Sequence, residues 1–191
     1  MTELLLLHHA QGLTSGVVRF ADRLRAAGHT VHTPDCFDGR TFDSLDDGIA
    51  YAREVGFGAV QQRGIAAAEG LAGDVVYAGF SMGVMAAQQL AQTRPGARGA
   101  LFFESCLPPA EFGSAWPATV PVQVHGMAED PIFAGEGDLD AARELVEQAE
   151  DGALFLYPGS VHLFADDTLP TYDRAAAEAL TERVLAFLAR V

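Results

Sequence analysis

Apolar positions along the chain recur in two periods, and the switches between them mark the elements. Residues 4–8 open with four leucines, Leu4 to Leu7, closed by His8; a continuous apolar run of that length suits a strand covered on both faces. In 16–27 the apolar Val17, Phe20, Leu24 and Ala27 fall three or four apart and stop at Gly28, which predicts a helix and its end. A short strand over 30–34 leads to the turn pair Asp38-Gly39. Residues 44–72 carry a helical pattern broken between Gly56 and Gly58, and Gly73-Asp74 turns the chain into a strand over 75–78. A helix over 82–92 ends before Pro95-Gly96, and a fourth strand over 100–103 runs into a loop containing Pro108-Pro109. The fifth strand is read over 120–124, with Pro121 near its start, where a missing donor costs least. An acidic helix over 138–149, a sixth strand over 153–157 and an amphipathic helix over 172–189 complete the chain. That last helix presents Ala176, Leu180, Val184 and Leu188 on one face.

Strands alternating with helices imply an α/β fold: a doubly wound, mainly parallel sheet of about six strands. Ligand sites in such sheets lie beyond the carboxyl ends of the strands. A length of 191 residues, 49% of them hydrophobic, suffices for one core, and no repeat or linker divides it, so residues 1–191 are expected to form a single domain.

The segment after the third strand reads Gly79-Phe80-Ser81-Met82-Gly83, a G-x-S-x-G pattern between a predicted strand and a predicted helix. A nucleophile on so sharp a turn needs small residues two positions to either side, which Gly79 and Gly83 provide. A serine hydroxyl is a weak nucleophile and needs a base, and the base needs an orienting carboxylate. His162, in Pro158-Gly159-Ser160-Val161-His162, follows the sixth strand and is the expected base. Asp130, after the fifth strand in Glu129-Asp130-Pro131, is the favoured acid; Glu129 beside it and Glu104 after the fourth strand remain alternatives. An oxyanion needs two donors. The Met82 amide is one, and the loop His9-Ala10-Gln11-Gly12 supplies the other from Ala10 or Gln11. His8, His9 and His125 match no metal-ligand spacing, so no metal and no cofactor are expected.

Charge narrows the field. With 26 acidic and 12 basic residues the formal net charge is −14, which disfavours nucleic acid and anionic membranes as partners. Every basic residue is arginine, so a P-loop lysine or Schiff-base lysine is excluded. The two cysteines, Cys36 and Cys106, form no disulfide or metal motif. No apolar run approaches a membrane span, and the acid in Met1-Thr2-Glu3 does not suit a signal peptide, so a cytoplasmic protein is expected, as monomer or homodimer.

Four segments together resemble the dienelactone hydrolase family of the α/β-hydrolase superfamily, over nearly the whole chain. They are residues 32–39, the 79–83 turn, His125-Gly126 with Asp130-Pro131, and Tyr157-Pro158-Gly159-Ser160-Val161-His162-Leu163-Phe164-Ala165. The resemblance implies a minimal α/β-hydrolase fold without a lid domain and a carboxylic ester hydrolase acting on a small ester or lactone. Two departures matter. The family carries cysteine in G-x-C-x-G-G, where this chain has Ser81 and then Gly83-Val84, and the family's glutamate after the first strand is absent from His9-Ala10-Gln11. The expectation is therefore a serine variant with the triad Ser81, Asp130 and His162, working through an acyl-serine. Other acyl transfer on the same triad, to or from a thioester or peroxide, and a non-catalytic binding protein of the same fold are the alternatives. The family also uses arginines to hold a substrate carboxylate. One lies just beyond the catalytic histidine, where this chain reads Asp166-Asp167, and the nearest candidates for another, Arg53 and Arg63, fall in predicted helices. With Glu104 and Glu129 expected nearby, the potential around Ser81 should be negative, and the absence of a lid suggests a shallow pocket.

Overall fold

A computed structural model describes residues 1–113 and 115–191. Six strands form one sheet, β1 (Glu3–Leu7), β2 (Thr30–His32), β3 (Val75–Phe80), β4 (Gly99–Phe103), β5 (Val122–Met127) and β6 (Gly152–Tyr157). They are all parallel, in the order β2-β1-β3-β4-β5-β6. Six α-helices connect or follow them: α1 (Ser15–Ala26), α2 (Leu45–Val55), α3 (Phe57–Ala66), α4 (Val84–Thr93), α5 (Asp138–Gln148) and α6 (Arg174–Leu188). Among the described residues no helix is long and apolar enough to cross a membrane.

The unbroken leucine run is explained by burial on both faces. Leu4 and Leu6 join one core with Val17, Phe20 and Leu24 of α1 and Leu180, Val184 and Phe187 of α6. Leu5 and Leu7 join the opposite core with Ala52 of α2, Val60 of α3, Ala87 and Leu90 of α4 and Leu145 of α5. Each such leucine is worth about 1.5–3 kcal/mol of burial, so four in succession pin β1 between the two helical layers.

Three elements differ from the sequence reading in ways that bear on the site. The strand expected over 120–124 runs instead from Val122 to Met127, because Pro121 has no N–H for the ladder; its carbonyl accepts from Ala100 N–H (2.9 Å), and pairing with β6 continues to Met127. His125 and Gly126 are thus strand residues rather than loop. The helical stretch expected to reach 72 ends at Ala66, and its break is one residue, Gly56, whose φ of 96° lets two helices meet at a corner. The helix expected to start at Met82 is preceded by a tight 3₁₀ turn over Ser81–Gly83.

The chain enters at β1, steps to the edge strand β2, then crosses to β3 on the other side of β1. The strand order therefore reverses between β1 and β3, where an open parallel sheet leaves a crevice at its carboxyl ends.

Candidate active site

The loops after β1, β3, β4, β5 and β6 meet at that edge. Ser81 directly follows β3 with φ 45°, a left-handed conformation costly for a residue with a Cβ. The turn closes only because its flanks are bare: a Cβ on Gly79 would lie 2.5 Å from the Gly83 carbonyl carbon, and one on Gly83 would lie 2.6 Å from the Leu7 oxygen. The Ser81 hydroxyl is thereby presented above the sheet, where Oγ–H donates to His162 Nε2 at 2.8 Å. His162 Nδ1–H donates to Asp130 Oδ2 at 2.6 Å, and the other Asp130 oxygen accepts Ile132 N–H at 2.9 Å. Asp130 is fully buried and His162 almost so. Burial alone would lower the imidazole pKa, but the Asp130 hydrogen bond and the charges of Glu104, Asp130 and Asp138 raise it overall.

The two other candidate acids lie elsewhere. Glu129 is exposed, held by its backbone N–H to Gly159 O, and takes no part in the cavity lining. Glu104 is fully buried close to His162 but bonds the chain beyond it, accepting Phe164 N–H on Oε1 at 2.7 Å. The two amides considered as second oxyanion donors also separate. Gln11 N–H donates to His9 Nδ1 (3.2 Å) and Gln11 is not part of the lining, whereas Ala10 faces the cavity. Met82 opens a helical turn, where N–H groups lack intrahelical partners.

The three remaining histidines weighed as metal ligands have structural partners. Buried His8 bridges His9 O and Cys36 N–H, and burial lowers its pKa to about 4. His9 donates to Asp166, and His125 pairs with Tyr157 Oη and Gln123 Oε1. Among the described residues no three His, Cys, Asp or Glu side chains are grouped to hold a metal. Cys36 and Cys106 are buried free thiols; burial pushes Cys36 up to about 11 and Cys106 higher still, so neither is a ready thiolate.

Ser81 and His162 open into a cavity of about 300 Å³. Its apolar wall comes from Leu45 and Ile49 of α2, Phe57 of α3, and Met82, Met85, Leu107 and Ile132. The corner at Gly56 thus gives the site a side wall. Its polar lining is acidic, and of the acids expected there Glu104 is present while Glu129, Asp166 and Asp167 are not. Asp166 turns inward to His9 and Thr14, and Asp167 pairs with Arg19 at 2.7 Å and Arg23 at 3.6 Å, so neither lines the cavity. Glu104, Glu136 and Asp138 do. The latter two escaped the sequence reading because they precede or open α5 and read as ordinary helix-start acids; the one available signal was that α5 follows the Asp130 loop directly. Arg53 is exposed, and Arg63 is committed to Cys36 O (2.8 Å) and Asp38 (2.9 Å).

The sequence profile of the dienelactone hydrolase family matches residues 3–191. The chain belongs to the dienelactone hydrolase family. A Saccharolobus solfataricus protein provisionally named a carboxymethylenebutenolidase is 33% identical over 117 residues, which is 61% of this chain and 44% of that relative. The chain thus spans less than half the length of this relative. Among solved structures of dienelactone hydrolases and their kin, one provisionally so named from Klebsiella pneumoniae subsp. pneumoniae superposes with a TM-score of 0.75 at 17% identity, covering 100% of this chain and 88% of that one. A dienelactone hydrolase-like promiscuous phosphotriesterase from metagenomic libraries gives 0.73 at 23% identity, covering 100% and 86%. At these identities the structural likenesses establish the α/β-hydrolase-type fold.

Proposed function

We propose that the protein is a serine hydrolase that cleaves a small ester or lactone through an acyl-serine intermediate. The observation that carries the reading is the unbroken chain of hydrogen bonds from Ser81 Oγ through His162 to Asp130, with the serine on a left-handed turn. Membership of the dienelactone hydrolase family supports carboxylic ester hydrolysis. In the proposed reaction Ser81 Oγ attacks the carbonyl carbon while its proton passes to His162 Nε2. Asp130 keeps the imidazole in the tautomer that can accept that proton and favours the imidazolium that forms. The oxyanion is received by the amides of Met82 and Ala10. Collapse expels the alkoxide, which takes the proton from His162, and water then repeats the sequence on the acyl-serine to release the acid.

The relative's name points to a lactone with a carboxymethylene arm. Here no arginine among the described residues lines the cavity, and three acids do, so such a carboxylate would be repelled and would lack a bidentate partner. The reading therefore favours substrates without a carboxylate. Testing needs a fluorophosphonate probe and 4-nitrophenyl acetate. The probe should label the wild type and not Ser81→Ala, and the variant should lose about 10³-fold or more of turnover. Iodoacetamide should leave turnover nearly intact, as both thiols are buried with raised pKa values. An active Ser81→Ala protein that is inactivated by alkylation would overturn the reading.

A further inference from the structure

Three carboxylates line the cavity that holds Ser81 and His162: Glu104 beyond β4, and Glu136 and Asp138 at the start of α5. Among the described residues none of the three takes part in an ion pair. Asp138 is met only by neutral donors, Ser105 Oγ–H at 2.6 Å and Cys106 N–H at 3.2 Å. Burial raises its pKa against those two bonds, and Glu136 adds repulsion. Glu104 is the decisive member. It is fully buried, its Oε1 accepts Phe164 N–H, and its Oε2 has no hydrogen-bond partner among the described residues. Leaving a buried polar atom unsatisfied is costly, so such an atom on a residue that lines a cavity marks a place where a donor is expected. Burial lifts this carboxyl to about 7, despite the nearby His162 and the Phe164 bond. Among the described residues the cavity wall therefore offers more acceptor capacity than its own donors satisfy, and a cation beside Glu104 would draw its carboxyl back to the ionised form that burial disfavours.

We propose that this acidic wall is a cation subsite, and that the preferred substrates are small esters or lactones bearing an ammonium or similar organic cation. The proposal rests on the serine hydrolase reading and names the substrate class for that same site. A metal ion is the less suitable occupant, because the three carboxylates do not converge with each other or with a histidine into a ligand group among the described residues. The same cavity is lined by the apolar Leu45, Ile49, Phe57 and Leu107, which suits a molecule with one charged end and one apolar end. The cation would be attracted by Glu136, Asp138 and Glu104, and an ammonium that carries N–H, as in a β-alanine ester, would have Oε2 of Glu104 as its unpaired acceptor.

The test compares two pairs of near-isosteric esters at low salt. Choline butyrate against 3,3-dimethylbutyl butyrate puts the charge on the alcohol side; β-alanine ethyl ester against ethyl butanoate puts it on the acyl side. In at least one pair the cationic member should have a kcat/KM about tenfold higher, mostly through a lower KM. The advantage should shrink in about 0.5 M NaCl and in Asp138→Asn. Glu136→Gln, at an exposed position, should reduce it as well. A ratio of one or below in both pairs, with neutral esters still hydrolysed, overturns the subsite and leaves the hydrolase reading standing. A cation preference untouched by both substitutions also overturns it. Failure of every ester together with loss of fluorophosphonate labelling would instead sink the hydrolase reading itself.

Discussion

At the scale of single residues, the site depends on conformations that most side chains avoid. Ser81 and Glu104 both have left-handed φ, 45° and 62°, at the ends of neighbouring strands β3 and β4, and Leu163 does the same at 61° beside His162. Such strain persists where surrounding contacts over-determine it. The G-x-S-x-G pattern disclosed the first of these because a pair of glycines announces it; nothing in the local sequence announces the other two. The charges around His162 lead to a pH prediction. The groups facing it are all carboxylates, Asp130, Glu104 and Asp138, and their combined effect outweighs burial and raises the imidazole pKa above 6.5. In the proposed reaction His162 must be neutral to act as base, so activity should be lost as pH falls through that raised value. The acid limb of kcat/KM for a neutral ester should therefore lie above 6.5. Glu104→Gln removes one charge that favours the imidazolium and should move the limb to lower pH. A shift to higher pH, or none, would contradict the electrostatic account.

At the scale of elements, the loop after β6 is fixed by a buried network that the sequence did not reveal. Asp166 Oδ2 accepts His9 Nε2–H at 2.9 Å and Thr14 Oγ–H, while Oδ1 accepts Thr168 N–H and Oγ–H. Since Gln11 N–H donates to His9 Nδ1, the ring carries its proton on Nε2, and one imidazole ties the β1 loop to the loop of His162. Gly16 in α1 is required here too: a Cβ would sit 1.7 Å from Asp166 Oδ1. Burial tends to raise the Asp166 pKa, but its bonds to His9, Thr14 and Thr168 more than offset this and hold the carboxyl well below its usual value. A depressed carboxylate contributes stability that is complete above the unfolded value near 3.8 and is lost as pH falls through the lower folded value. Asp166→Asn should therefore cost about 3 kcal/mol at pH 7, with the difference narrowing only in strong acid. Denaturant melts at pH 7 and pH 3 measure it; an unchanged midpoint at pH 7 would show the network to be dispensable.

At the scale of the molecule, the net charge of −14 is larger than local pairing can relieve. The arginines near acids are mostly half exposed, as in Arg19 with Asp167 and Arg143 with Asp140, and exposed pairs of this kind contribute little. Self-repulsion should make the fold sensitive to salt. Screening that relieves about 1 kcal/mol would raise Tm by about 2–4 °C between low salt and about 0.2 M NaCl. A thermal scan in NaCl checks this, and a fall in Tm would mean that ion pairs outweigh repulsion.

The sequence by itself determined the parallel α/β sheet, because four buried leucines in β1 and the alternation of strand and helix allow few other layers. It also determined the order of Ser81, Asp130 and His162 along the chain and the family resemblance, since each lies just beyond a strand with its own turn residues. What only the tertiary structure decided were the relations between loops distant in sequence. Asp130, rather than Glu104 or Glu129, bonds His162; Gln11 N–H is taken by His9; and Asp166 and Asp167 face inward and toward Arg19, leaving Glu136 and Asp138 to line the cavity. Periodicity reports which face of an element is buried. It carries no information on which of several neighbouring carboxylates points at a given imidazole, because that depends on loop geometry and on which buried donors must be satisfied.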